Sequence, residues 1–220
     1  MFSRDDFRQA ILFSGIENQT QFKKEFAQEI ETFIDKIYNI YVIYRRLDEG
    51  SDKSYRRAYT SLFLFNAMKS LTESFSIFLL GFRSAAGNLI RHYFESVAMA
   101  MLISNNNIDV FERYHKSTKQ FPVHKSLQLL SRYVNKGKFE LVEKEAYKAF
   151  MEAEQFYDEY SHTSGLALAE VFHFDMKGAV VIGGDFDPHK IEQYRKEIKR
   201  YISGVDALKN AIQGISQELS

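Results

Sequence analysis

The chain reads as an all-α protein, a single helical bundle of five to eight helices spanning residues 1–220, and three observations predict this. Only two prolines occur, Pro122 and Pro188, and both fall between helical patterns. Long helices can therefore run uninterrupted, because an interior proline removes an amide donor and crowds the preceding turn. Apolar residues recur at steps of three and four over long stretches, the period of one helix face. The run VAMAMLI (97–103) is apolar or small on every side, the mark of a helix surrounded by other elements.

Taken in order, the first helix is expected over about 21–47. Its apolar stripe is Phe22, Phe26, Ile30, Phe33, Ile37, Tyr41 and Tyr44. The polar cluster DEGSD (48–52) ends it, with Gly50 in the turn. A second helix covers roughly 53–82, interrupted between Gly81 and Gly87 before a further helix that ends at Ser104. Asn105 to Asn107 cap a short helix over 108–115. Phe121-Pro122 opens a segment carrying Leu127, Leu130 and Val134, closed by residues 135–137.

A long helix follows over about 139–160, ending in YSHTSG. The stretch KGAVVIGGDFD (177–187) breaks the helical regime. Glycines 178, 183 and 184 around a β-branched run predict a short β-hairpin or ordered loop insert. Asp187-Pro188 then reads as a helix cap followed by proline at the first helical position. The last helix runs to about 219, its stripe formed by Ile191, Tyr194, Ile198, Tyr201, Ile202, Val205, Leu208, Ile212 and Ile215.

Composition narrows the function. Lysine and arginine together equal aspartate and glutamate at 29 each, so there is no global attraction to nucleic acid or to an anionic membrane. The absence of cysteine excludes disulfides, thiol catalysis and cysteine-ligated zinc, and fits a cytoplasmic protein. The opening MFSRDDFRQA lacks the basic-then-apolar layout of a signal peptide. The apolar SFSIFLLGF between Glu73 and Arg83 is far shorter than the ~20 residues a spanning helix needs, so no membrane segment is expected.

Four groups of residues could carry chemistry. Arg91 and Glu95 share a helix face inside the most apolar stretch, where charge is costly unless paired. Arginine ahead of glutamate is the weaker order for an intrahelical pair. Each is therefore expected to reach a separate partner, such as Glu73 or a histidine of another helix, as a register-fixing bridge or as part of a polar pocket.

Glu112/His115 and Glu170/His173 form two Glu-x-x-His motifs. A di-metal carboxylate bundle uses two such motifs plus one glutamate from each of two further helices. Here Glu73 or Glu95 would supply one and Glu143 or Glu154 the other. The third group is Tyr157, Tyr160, Ser161 and His162 in FYDEYSHTSG. Adjacent Ser161 and His162 point in different directions, so His162 is expected to reach Glu95 or Arg91 across the bundle, where a charged neighbour would set its protonation.

Finally, Arg113, Lys116, Lys119, Lys125, Arg132, Lys136 and Lys138, with His115 and His124, form a segment without an acidic residue. It either neutralises the acidic helix that follows or offers an RNA or phosphate patch. Glycines 178, 183 and 184 make no phosphate-cradling motif. Asp175, Asp185, Asp187 and His189 around the insert suit turns and caps, or a cation.

With these residues named, a resemblance can be stated. SLTESFSIFLLGFRSAAGNLIRHYFESVAMAML, followed downstream by YDEYSHTSG, resembles a group of uncharacterised bacterial helical proteins that are distantly similar to HEPN-type bundles. The resemblance makes Arg91, Glu95, Tyr160, Ser161 and His162 the family-like polar cluster. It implies a defence-associated binding protein that contacts RNA or nucleotide. HEPN nucleases place a histidine roughly one and a half to two helical turns after an arginine on one helix. No Arg–His pair here has that spacing, and Arg91-His92 and Arg113-Tyr114-His115 are too close. The likeness thus extends to the bundle and the polar cluster, not to the nuclease motif. Three classes stand as expectations: the cytosolic binding protein, an enzyme (di-metal bundle or RNase using His162), and a structural homodimer.

Overall fold

The computed structural model describes residues 4, 5, 8, 12, 15–117, 123–137, 144–161 and 183–219, with the backbone alone for 144–146, 149 and 158–161. Among the described residues there are eight α-helices and no strand. They are α1 (Ile16–Glu25), α2 (Ala27–Asp48), α3 (Tyr55–Leu79), α4 (Arg83–Ser104), α5 (Val110–His115), α6 (Ser126–Asn135), α7 (Lys144–Ser161) and α8 (Ile191–Glu218). The all-α prediction holds. No helix of the described residues is long and apolar enough to cross a membrane.

The fold is organised around α4. Every residue from Tyr93 to Asn105 is buried, as the all-round apolar run VAMAMLI requires. Helix α3 lies along α4 as its hairpin partner, and α5, α6, α7 and α8 also pack on it, while α2 closes the bundle against α3 and α8. Phe33, Phe75, Phe78 and Tyr201 join α2, α3 and α8, with Phe33 and Phe75 rings 4.1 Å apart. Fully burying a side chain of this size contributes roughly 1.5–3 kcal/mol, so this aromatic seam is a main source of cohesion.

The first predicted helix is two. Phe26 leaves the helical region (φ −130°, ψ 30°), although its N–H still donates to the Phe22 carbonyl at 2.9 Å. The bend lets Phe22 swing into an aromatic nest with Phe78, Phe186 and Tyr194 at centroid distances of 5.1, 4.9 and 5.0 Å. Tyr41, expected in the core stripe, is exposed, and Ile40 is buried instead. One step along a helix turns the side chain by about 100°, enough to move it off the core face.

The predicted interruption after residue 80 is a tight turn at Leu80–Phe82. Gly81 has φ +88°, a left-handed conformation that suits glycine. The segment 183–187 sits against this turn: Asp185 N–H donates to the Gly81 carbonyl at 3.3 Å, and a Cβ at Gly81 would lie 2.4 Å from the Asp185 nitrogen. The expected insert is irregular over 183–187, and its residues 177–182 lie outside the described residues. Asp187 caps as predicted, its Oδ1 accepting from His189 N–H at 2.9 Å, and Pro188 opens a single 3-10 turn that leads into α8.

Candidate functional site

The Arg91–Glu95 expectation changes in its partners. The two side chains pair with one another, Nε to Oε1 at 3.5 Å, and His92 Nδ1 lies 3.6 Å from Glu95 Oε2. Glu73 pairs instead with Lys69 on its own helix, at 3.7 Å. Arg91 precedes the stretch of α4 that is buried on all sides, so its side chain keeps 37 % exposure while Glu95 keeps 11 %. The Glu95 backbone also matters: its carbonyl accepts from the Ser126 hydroxyl at 3.1 Å, tying α6 to α4. Tyr160 and Ser161 fall on the last turn of α7, described by backbone alone, and His162 lies outside the described residues.

Of the two Glu-x-x-His motifs, the first is described. Glu112 Oε1 takes a 2.6 Å ion pair from Arg56, whose other terminal nitrogen donates to the Ile103 and Asn105 carbonyls at 2.9 Å each. Arg56 thereby caps the end of α4 and anchors α5. The His115 ring lies among aromatic rings, 5.1 Å from Tyr55 and 5.5 Å from Phe111. No group of three or more histidine, aspartate or glutamate side chains suited to a metal ion occurs among the described residues. Glu170 and His173 lie outside them.

The basic segment spreads over α5 and α6. Arg113 lies 3.7 Å from Asp109, and Asp109 also accepts from the Tyr133 hydroxyl at 3.1 Å, so the two short helices are tied together. Lys116, Lys125, Arg132 and Lys136 are exposed, and Lys119 and Lys138 lie outside the described residues.

Two features escape sequence reasoning. One is a pole of buried charge where the turn after α3 meets the start of α8. Arg83 and Glu197 form a bidentate ion pair, with Arg83 Nε 3.2 Å from Glu197 Oε2. Lys190 Nζ lies 3.7 Å from Asp187 Oδ2, both side chains buried. Tyr194 accepts from the Asp187 N–H at 3.0 Å, and burial pushes its phenol up to about 12. The available signal was Glu197, a charge on the apolar stripe between Tyr194 and Tyr201.

The other feature is a cavity of about 630 Å³. Helices α7 and α8 both rest on α4 and approach one another at one end, where Arg200 lies 3.5 Å over the Phe156 ring and the Tyr157 and Tyr201 rings are 6.2 Å apart. Beside that clasp, which contributes Tyr157 and Arg200 to the lining, they leave a space floored by Ile90, Tyr93, Phe94, Val97 and Met101 of α4. Tyr147 and Phe150 of α7, Leu130 of α6, and Gly204 and Ala207 of α8 form its walls. The Tyr93 hydroxyl donates to the Gly204 carbonyl at 2.8 Å, and burial raises its pKa above the usual tyrosine range.

Polar groups stand at the rim. Asp206 is held by Lys36 of α2 at 2.5 and 2.7 Å, and Arg200 is stacked on Phe156. Ser203, Asn210 and Gln213 supply uncharged hydrogen-bonding groups. Size and lining match a small-molecule site, which is typically concave, mostly apolar and supplied with a few polar groups.

No family model, curated protein or solved structure matches this chain. None of these comparisons supports the HEPN-type resemblance that the short sequence motifs suggest.

Proposed function

We propose that this chain is a cytosolic binding protein that takes a small, mainly apolar, uncharged molecule into the cavity between α4, α7 and α8. The observation that carries this reading is the cavity itself: about 630 Å³ lined by aromatic and aliphatic side chains. The two charged rim residues already have partners, Asp206 in Lys36 and Arg200 in the face of Phe156. Selectivity is therefore left to shape and to Ser203, Asn210 and Gln213. The absence of cysteine suits a reducing compartment.

The test is a fluorescence titration with N-phenyl-1-naphthylamine, an uncharged lipophilic probe. Saturable binding at one site per chain, lost in Ala207→Leu, supports the reading. No saturable binding, or binding unaltered by Ala207→Leu, refutes it.

A second reading has its own observation. Lys116 and Lys125 are exposed and take part in no ion pair among the described residues, and they flank the end of α5 and the start of α6, the two short helices joined through Asp109 and Tyr133. This supports contact with RNA or a nucleotide, the role implied by the HEPN-like resemblance. Affinity for single-stranded RNA should then fall steeply with salt, and Lys116→Glu with Lys125→Glu should lower both affinity and salt slope. Salt-insensitive or absent binding sinks it.

A further inference from the structure

We infer that the outer face of α2 is a self-association surface on which a second copy of this chain docks antiparallel, about a two-fold axis through Tyr38. Four large apolar side chains, Ile34, Tyr38, Tyr41 and Val42, are exposed on this helix, with Tyr38 63 % exposed. Steps of three and four place them on one face, away from the stripe that carries Ile30, Phe33, Ile40 and Tyr44 into the core. Phe65 of α3, also exposed, leans on Tyr44 with ring centroids 5.9 Å apart.

What selects a second copy as the occupant is the symmetry of this face. Tyr38 lies midway between Ile34 and Val42, midway between Asp35 and Tyr41, and midway between Glu31 and Arg45. All seven residues are exposed. A two-fold axis at Tyr38 sets Ile34 against Val42 of the other copy and the Asp35 carboxylate against the Tyr41 hydroxyl. It also sets Glu31 against Arg45, twice.

A two-fold interface must be complementary to itself, and this strip is. A parallel arrangement would instead oppose Glu31 to Glu31 and Arg45 to Arg45, so the charges specify direction as well as register. Glu31, Asp35 and Arg45 form no ion pair within the chain among the described residues. Arg45 lies near the Tyr41 hydroxyl, at the edge of the same strip. A single helix seam is smaller than the ~800 Å² per partner of a standard interface, so the dimer is weak and reversible.

The surface stands apart from the cavity, and its test is independent. Sedimentation velocity should show a concentration-dependent dimer that Tyr38→Glu abolishes. Glu31→Arg alone and Arg45→Glu alone should each raise the dimer dissociation constant about tenfold or more, because each sets like charges together. The double variant E31R/R45E should restore wild-type association, since it only exchanges the two ends. Because the chain has no cysteine, Tyr38→Cys supplies a single thiol on the proposed axis. Mild oxidation should link this variant as a dimer much faster than Lys199→Cys on α8. A wild type that stays monomeric at millimolar concentration, a double swap that fails to restore association, or equal cross-linking of the two cysteine variants would overturn the proposal.

Discussion

Arg83 and Glu197, separated by 114 positions in sequence, form a bidentate ion pair with both side chains only 5 % exposed. It fastens the first turn of α4 to the second turn of α8. The Arg83 guanidinium also lies 5.5 Å over the Tyr194 ring. Removing either partner strands a charge in a low-dielectric setting, so Glu197→Ala or Arg83→Met should cost about 3–5 kcal/mol. Such a loss is a large part of the ~5–15 kcal/mol that holds a domain folded. Replacing both with apolar residues of similar volume, Arg83→Met with Glu197→Leu, should recover most of the loss. A urea-unfolding double-mutant cycle measures this directly, and additive losses would contradict it.

Tyr194 makes the same pole sensitive to alkali. Burial pushes its phenol up to about 12, against the lowering effects of the Asp187 N–H and Arg83. In the unfolded chain a tyrosine loses its proton near 10. Between roughly pH 10 and 12 the unfolded chain sheds this proton while the native state keeps it. Stability is therefore complete below pH 10 and declines as pH rises through that window, by roughly 2–3 kcal/mol from this group. Tyr93, raised in the same direction by burial, adds to the slope. Tyr194→Phe should flatten the decline while costing about 1 kcal/mol at neutral pH through the lost hydrogen bond. Unfolding midpoints across pH 8–12, read beside tyrosinate absorbance, would show whether this tyrosine titrates late.

The legibility of these features in the sequence follows their range. Helix periodicity is local, so the stripe of α8, that of α2 apart from Tyr41, and the all-round burial of α4 could be read from spacing alone. The bend at Phe26 could not, because nothing near it breaks a helix. It is set by the distant rings of Phe78, Phe186 and Tyr194 that Phe22 reaches. Arg91 and Glu95 stood out as charges in apolar surroundings, yet the more deeply buried pair was Arg83 with Glu197, whose partners belong to different helices. The cavity has no local signature, since it arises from how α7 and α8 splay over α4. The antiparallel symmetry about Tyr38 was written in the sequence. It becomes visible only once the core face of α2 is known and Tyr41 is removed from it.

Two glycines should respond in opposite directions to the same substitution. Gly81 has φ +88°, and a Cβ there would sit 2.4 Å from the Asp185 backbone nitrogen. Gly81→Ala combines a left-handed backbone cost of about 1–2 kcal/mol with displacement of segment 183–187, so a loss of about 2–4 kcal/mol is expected. Gly204 lies within α8, where an added Cβ would meet Leu71 Cδ1 at 3.6 Å, an ordinary contact. Gly204→Ala therefore keeps the helix hydrogen bonds and gains helix propensity, for about 0.5–1 kcal/mol of added stability. Thermal melts of the two variants side by side decide the matter, and a destabilised Gly204→Ala would mean that close approach requires the glycine.

Ala207 and Ala98 separate a cavity from a close-packed core. Ala207 faces the open space between α7 and α8, whereas Ala98 is fully buried in α4. Added methylene groups at Ala207 enter existing space and gain contacts. Ala207→Leu should be neutral or stabilising by up to about 1 kcal/mol, since apolar burial contributes ~25 cal/mol per Å². At Ala98 the same atoms must displace neighbours in a region without room. Ala98→Leu should cost about 1–3 kcal/mol or more. Probe binding divides the pair a second time: Ala207→Leu should lose N-phenyl-1-naphthylamine while staying fully folded, and Ala98→Leu should bind it in proportion to its folded fraction. A strongly destabilised Ala207→Leu would show that the walls close on this space in solution, and the site would have to be sought elsewhere in the bundle.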